Sequence, residues 1–187
     1  MRKKLQYNSP VVLTLFFASL ISLILGWITA GGSTTLLFSV YRAPALDPLS
    51  LVRLFTHILG HADLEHFLGN MVLLLVIGPP MEEKYGSKAL LSGILLTAAV
   101  SGILHCLFFP TSALLGASGI VFMLIMLSSL AGARSGYIPV TLVLVAVLYL
   151  GQEVYSILFI QDNVANFMHL VGGGVGTAFG YILMKKG

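Results

Sequence analysis

Gly116-Ala117-Ser118-Gly119 leads directly into IVFMLIMLSSL, residues 120–130, and the reading of this stretch decides the fold. A run so apolar is a helix shielded from water on all sides, in a protein core or a membrane. The tetrapeptide ahead of it sets a hydroxyl among small residues. Backbone or substrate can then come within contact distance, and the turn escapes the usual steric limits. Ser118 is presented rather than packed away. Glycine and serine also serve as packing residues in membrane helices, so the tetrapeptide alone marks Ser118 as a candidate nucleophile and nothing stronger.

Composition fixes the class. The 187 residues are 57% hydrophobic and 9% charged, with a mean hydropathy of +0.97, whereas a water-soluble domain has about a quarter of its residues charged. The chain reads as a polytopic all-α membrane protein, one domain over residues 1–187. Its single cysteine, Cys106, excludes an internal disulfide, cannot alone hold a structural zinc, and reads as a core residue. The net charge of +3 sits in short flanks between apolar runs, which is no nucleic-acid signature. The first apolar run is long and lacks a small-residue cleavage site, so a membrane helix is expected there rather than a cleavable signal peptide.

Working outward from residue 118, the fourth span covers about 118–133. Ahead of it lie a short connection at 109–115 containing Pro110, a third span at about 89–108, and a charged turn at 81–88. The second span is expected at about 64–77, stopping before Pro79-Pro80, and the first at about 11–29. Beyond the fourth span come a polar turn at 134–139 and a fifth span at about 140–160 with Glu153 near its end. The link Gln161-Asp162-Asn163 follows, then a sixth span at about 164–184 ending at Lys185-Lys186. At about 1.5 Å per residue, the longer runs cover a ~30 Å hydrocarbon layer. Residues 31–61 mix Arg42, Pro44, Asp47, Pro48 and Arg53 with Leu36, Leu37, Phe38 and Tyr41. A loop this long and apolar is expected to lie folded on the membrane interface.

Six crossings place both termini on one side. With the amino terminus in the cytoplasm, the inner segments carry Arg2, Lys3, Lys4, Lys84, Lys88, Arg134, Lys185 and Lys186, and the outer ones only Arg42 and Arg53. That asymmetry satisfies the positive-inside rule. From Ser118 to Arg134 the helix is roughly 24 Å long, short of the ~30 Å core. The hydroxyl should therefore lie several ångströms below the outer surface, at a helix amino end whose N–H groups point toward it.

Ionisable groups inside spans are functional candidates by default. His169 lies at a depth comparable to Ser118, and Gly172, Gly176 and Gly180 continue from it as a small-residue stripe that admits a neighbouring helix. If that neighbour is the fourth span, hydroxyl and imidazole meet. Serine needs a base to take its proton, and histidine suits that task near neutrality. Neither Asp nor Glu is placed to orient His169, so a dyad is expected, with Phe122 one turn beyond Ser118 stacking on the ring. His66 and Asn70, four apart and on one face, can each donate an uncharged hydrogen bond to an oxyanion, joined by the N–H of Ser118 or Gly119.

Blander readings stand beside these. Ser118 and His169 could be separate packing groups satisfied by carbonyls. His57, His61 and His66 could be a metal cluster, although no zincin spacing is present. Glu82 and Glu83 read as a structural, solvated turn, His105 as a core or loop histidine, and Asn163 and Asn166 as caps of the sixth helix.

Taken in order, Arg53, Phe55-Thr56-His57, His61, His66, Asn70, Glu82, Gly86, Gly116-Ala117-Ser118-Gly119, and His169 with Gly172 and Gly176 resemble the rhomboid intramembrane serine proteases, over almost all of the chain after the first helix. The resemblance implies the six-transmembrane-helix rhomboid fold with a wet cavity open to the outer side, in a minimal form expected in a bacterial inner membrane. It implies Ser118 as nucleophile, His169 as general base, and His66, Asn70 and backbone amides such as Gly119 around the oxyanion. Arg53 and Glu82 match structural positions. No cofactor or metal is implied, and the partners are the bilayer and single-pass membrane proteins cut in or near their transmembrane segment. Val52 stands where many members have Trp, and Phe122 where a Tyr often stacks. A non-catalytic binder or chaperone of transmembrane helices on the same fold is the alternative, and the retained Ser118 and His169 favour the enzyme.

Overall fold

The computed structural model describes residues 5–44, 47–131, 133, 137–151 and 163–184. Arg2, Lys3, Lys4, Arg134, Glu153, Gln161, Asp162, Lys185 and Lys186 lie outside the described residues, as does the side chain of Asn163.

Helix α1, Pro10–Ile28, begins on a proline, whose missing N–H is not needed at a first turn. The next two amides, of Val11 and Val12, each donate to the Glu82 carboxylate at 3.0 Å, and the Ser87 hydroxyl donates to it at 2.7 Å. Glu82 is therefore no part of a solvated turn. It is buried, and it caps α1 from another helix, with its negative charge at the positive end of the helix dipole.

That other helix is α4, Leu64–Tyr85. Its amino end is capped by Asp63, whose carboxylate accepts from the His66 N–H at 2.8 Å. Against the sequence-based expectation, α4 does not stop at residue 77 but continues through Pro79-Pro80, and most of the expected charged turn is helix. The two prolines deprive the carbonyls of Leu75 and Val76 of their helical donors, ordinarily a loss of ~3 kcal/mol or more for a proline in a helix interior. Packing on both sides of the break holds the geometry. Gly78 lies so close to Val12 that an added Cβ would come within 2.7 Å of its Cγ2, and one turn later Glu82 is fastened to α1. The helix ends at Gly86, in the left-handed region at φ 82°, and α5, Ser87–Phe108, starts at once.

Residues 32–61 form short elements laid against the bundle. Helix α2 spans Gly32–Leu37, β1 Val40–Tyr41, and α3 Leu49–Thr56 with a 3-10 turn at His57–Leu59. Strand β1 pairs antiparallel with β2, Ala113–Leu114, in the register Val40↔Leu114 and Tyr41↔Ala113. On α3, Leu54 packs where a Gly102 side chain would begin, 2.9 Å away, while Leu51, Val52 and Phe55 remain exposed.

Helix α6, Ser118–Leu130, is buried along most of its length. Helix α8, Asn163–Met184, lies along it at backbone distance. A side chain on Gly172 would overlap the Gly119 carbonyl, one on Gly176 the Met123 carbonyl, and one on Gly180 would come within 2.8 Å of Leu130. Contacts climb together in both sequences, so α6 and α8 run in the same direction. Helix α7, Val140–Val145, continues through a π-type turn at Ala146–Leu150.

Three helices among the described residues are long and apolar enough to cross a membrane: Pro10–Ile28, Leu64–Tyr85 and Ser87–Phe108. Their outward faces carry Phe17, Ile21, Val72, Val76 and Leu95, as lipid contact requires. The protein is an all-α membrane protein with one minimal β ladder.

Candidate active site

The site is built around Gly116. Its φ of 120° is a conformation that side chains resist, and its N–H donates to the His57 carbonyl at 3.0 Å. The absent side chain leaves room for others. A Cβ here would come within 2.8 Å of His66 Cε1 and Nε2 and 3.7 Å of Asn70 Nδ2. His66 and Asn70, one turn apart on α4, thus converge on the turn that delivers Ser118. Asn70 is buried, and its Nδ2 has no acceptor among the described residues.

Ser118 is the first residue of α6, with Ala117 in the capping position. The first N–H groups of a helix lack intrahelical acceptors and give that end a partial positive charge. One turn on, the Phe122 ring stacks on His169, centroids 4.3 Å apart and planes 7° from parallel. The preceding carbonyl, of Met168, lies 3.7 Å from where a Gly119 side chain would begin. With Gly172 seated against the Gly119 carbonyl, α8 brings His169 alongside the amino end of α6. His66 in turn lies close enough to His169 for the two to interact electrostatically. Ser118, Gly119, Phe122, His169, Gly172, His66 and Asn70 are thus gathered at one end of the α4–α6–α8 packing, and Gly176 extends the seam a turn further.

Two supporting residues lie elsewhere. Arg53 is 2% exposed. Its guanidinium forms an ion pair with Asp47, donates to the Tyr41 hydroxyl at 2.9 Å, and lies 4.5 Å from the Tyr41 ring centre. It fastens the first loop. Glu82 caps α1, as described above.

Among the described residues no group of three potential ligands forms a metal site. His57 Nδ1 donates to the Arg53 carbonyl at 3.1 Å and His61 Nδ1 to the Leu59 carbonyl at 3.1 Å. The His61 ring meets His66 edge-on at 5.1 Å. Burial pushes the His57 imidazole down to about 4, against the opposing pull of its bond to the Arg53 carbonyl. Burial, reinforced by His66, pushes His61 down to about 4. Both are neutral at neutral pH. His105 is a core residue, with Nε2 bonded to the Ser112 carbonyl at 3.0 Å.

Sequence reasoning missed three contributors. The His57 main chain holds Gly116, and no side-chain pattern announces a carbonyl. Asp47 neutralises Arg53; as the one acid in residues 31–61, it was the available signal. Ser101 of α5 places its hydroxyl 3.7 Å from where a Gly119 side chain would begin, with nothing in its own helix to mark it. In chemical terms, a hydroxyl at a helix amino end, an imidazole braced by a ring, and two uncharged donors are the parts that acyl transfer uses.

The Rhomboid domain family model matches residues 48–186. The chain is 28% identical over 148 residues to Rhomboid-related protein 2 of Mus musculus, covering 71% of this chain and 48% of that one. It is 34% identical over 133 residues to RHOMBOID-like protein 4 of Arabidopsis thaliana, covering 67% and 32%. With Rhomboid-like protease 3 of Toxoplasma gondii it shares 35% identity over 85 residues, 46% of this chain and 32% of that one. These alignments span about a third to a half of the length of the relatives.

Proposed function

The chain belongs to the rhomboid family, and we propose that it is a serine endopeptidase working inside the membrane, with Ser118 as nucleophile and His169 as general base. The observation that carries this reading is the stack of His169 on Phe122, one turn from Ser118, at a seam where glycine brings α8 to the backbone of α6.

In the proposed reaction His169 takes the Ser118 proton as the oxygen attacks the scissile carbonyl. The oxyanion accepts hydrogen bonds from His66, Asn70 and the Gly119 N–H. The imidazolium then returns its proton to the leaving amine, and water hydrolyses the acyl-enzyme with His169 again as base. Phe122 and the glycine seam orient the imidazole in place of a carboxylate, which makes the pair a dyad. No cofactor takes part. The substrates are single-pass membrane proteins, cut in or near their transmembrane segment. We place both termini in the cytoplasm and the site on the outer side of a bacterial inner membrane.

The test is cleavage of a model transmembrane substrate in liposomes, alongside labelling with a fluorophosphonate. The Ser118→Ala variant should lose both signals and keep the wild-type melting temperature. Equal cleavage by that variant would end the reading. Undiminished substrate binding by a wild-type protein that neither cuts nor labels would instead identify a non-catalytic binder of transmembrane helices.

A further inference from the structure

A groove of about 310 Å³ runs between the first loop and α5. Leu54, Ile103 and Leu107 give it apolar walls, and Arg42, Ser50 and Cys106 also line it. Arg42 differs from its neighbour Arg53. Arg53 is buried and paired with Asp47, whose other oxygen accepts from the Leu49 N–H at 3.0 Å. Arg42 is exposed and has no carboxylate partner among the described residues. Asp47 is the one acid in residues 31–61, so the loop supplies no second counter-ion. Arg42 and Cys106 line the same groove, so the unpaired charge stands at its mouth.

The apolar rim continues outward through Leu51, Ile103 and Leu107, all well exposed, so in a bilayer the groove opens toward lipid. Its size decides what can fill it. A helix is at least about 10 Å across, so 310 Å³ would hold less than a single turn. It suits a flexible chain instead. An occupant must then bring an anionic group to Arg42 and a slender apolar chain to Leu54, Ile103 and Leu107.

We propose that this groove binds an anionic phospholipid of the leaflet in which the first loop lies, with Arg42 and the Ser50 hydroxyl taking the phosphate and part of one acyl chain lying against α5. This goes beyond the proteolytic reading and stands without it. The groove also shares Leu54 with the α3–α5 contact at Gly102. A bound lipid would thus brace the element whose continuation at His57 holds the Gly116 turn.

Native mass spectrometry of the full chain in detergent, titrated with phosphatidylglycerol or phosphatidylcholine, tests the site. One basic residue near an anionic lipid surface corresponds to about a five-fold preference. The wild-type protein should retain one more phosphatidylglycerol than Arg42→Gln, with half-saturation at about five-fold lower lipid. Arg42→Lys should keep the preference. Lipid held by basic residues elsewhere is common to all three and cancels. Alkylating Cys106, the chain's one thiol, should fill the groove and remove the same adduct. The proposal is overturned if Arg42→Gln binds phosphatidylglycerol as the wild type does, if the adduct survives alkylation, or if dimers replace lipid adducts and so reveal a second copy in the groove.

Discussion

At the scale of single residues, Asn70 Nδ2 is a buried donor with no acceptor among the described residues, beside the Gly116 turn. An unmet buried donor is destabilising by about 1–3 kcal/mol, and on the proposed mechanism the oxyanion is the acceptor that meets it. On the proposed mechanism, Asn70→Ala should lower kcat by about 10²–10³ with KM little changed, read in a cleavage assay. An unaltered kcat would remove Asn70 from the oxyanion site. His57 supplies a separate, pH-dependent prediction. Its pKa is about 4 in the fold and about 6.5 unfolded, so between those values the unfolded chain binds more protons. Stability from this group is complete above pH 6.5 and drains away as pH falls toward 4, by roughly 3 kcal/mol. The melting temperature in micelles should decline across that window, and His57→Gln should flatten the decline. The convergence of His66 and Asn70 was legible from their spacing of four, and Ser118 and His169 were candidates from the Gly116-Ala117-Ser118-Gly119 turn and the stripe of Gly172 and Gly176. The main-chain role of His57 was not legible, because every residue has a carbonyl.

At the scale of elements, α1, α5 and the start of α6 were legible because length and apolarity alone define them. The end of α4 was not. Pro79-Pro80 is a strong local stop signal, and what overrides it is tertiary: Val12 against Gly78 and two α1 amides on Glu82. Removing that cap should matter more than an ordinary surface change. Glu82→Ala deletes three hydrogen bonds to a charged group and should cost about 3 kcal/mol or more. It should also raise hydrogen exchange at Val11 and Val12 above that elsewhere in α1. A variant that melts like wild type would show that the cap contributes little. Helices α6 and α8 are equally constrained. Because the Met123 carbonyl occupies the space beside Gly176, Gly176→Leu must force the two helices apart. Fluorophosphonate labelling should fall at least ten-fold, even where the protein still purifies as a monodisperse species.

For the whole molecule, burial is graded around α6. That helix is enclosed along most of its length, whereas α7 from Val140 to Val145 has no buried residue. Opening energies follow such differences, so exchange measured by mass spectrometry in micelles should be slowest in α6 and much faster in 140–145. Comparable protection in both would contradict the graded core. The shared direction of α6 and α8 agrees with the alternation of spans expected from the apolar runs of the sequence, in which one further span separates the fourth from the sixth. The fastening of residues 32–61 to the bundle was not legible in the sequence, because beside Leu54 against Gly102 it rests on one short ladder and one carbonyl, which no side-chain pattern marks.

The main-chain part of that fastening joins Val40 and Tyr41 to Leu114 and Ala113, and His57 to Gly116, through peptide groups. Amide bonds are the same whatever residue carries them. Natural drift or a randomised library could therefore rewrite the outward positions 51, 52 and 55, retuning the loop for bilayers of different thickness or composition, while the serine turn keeps its shape.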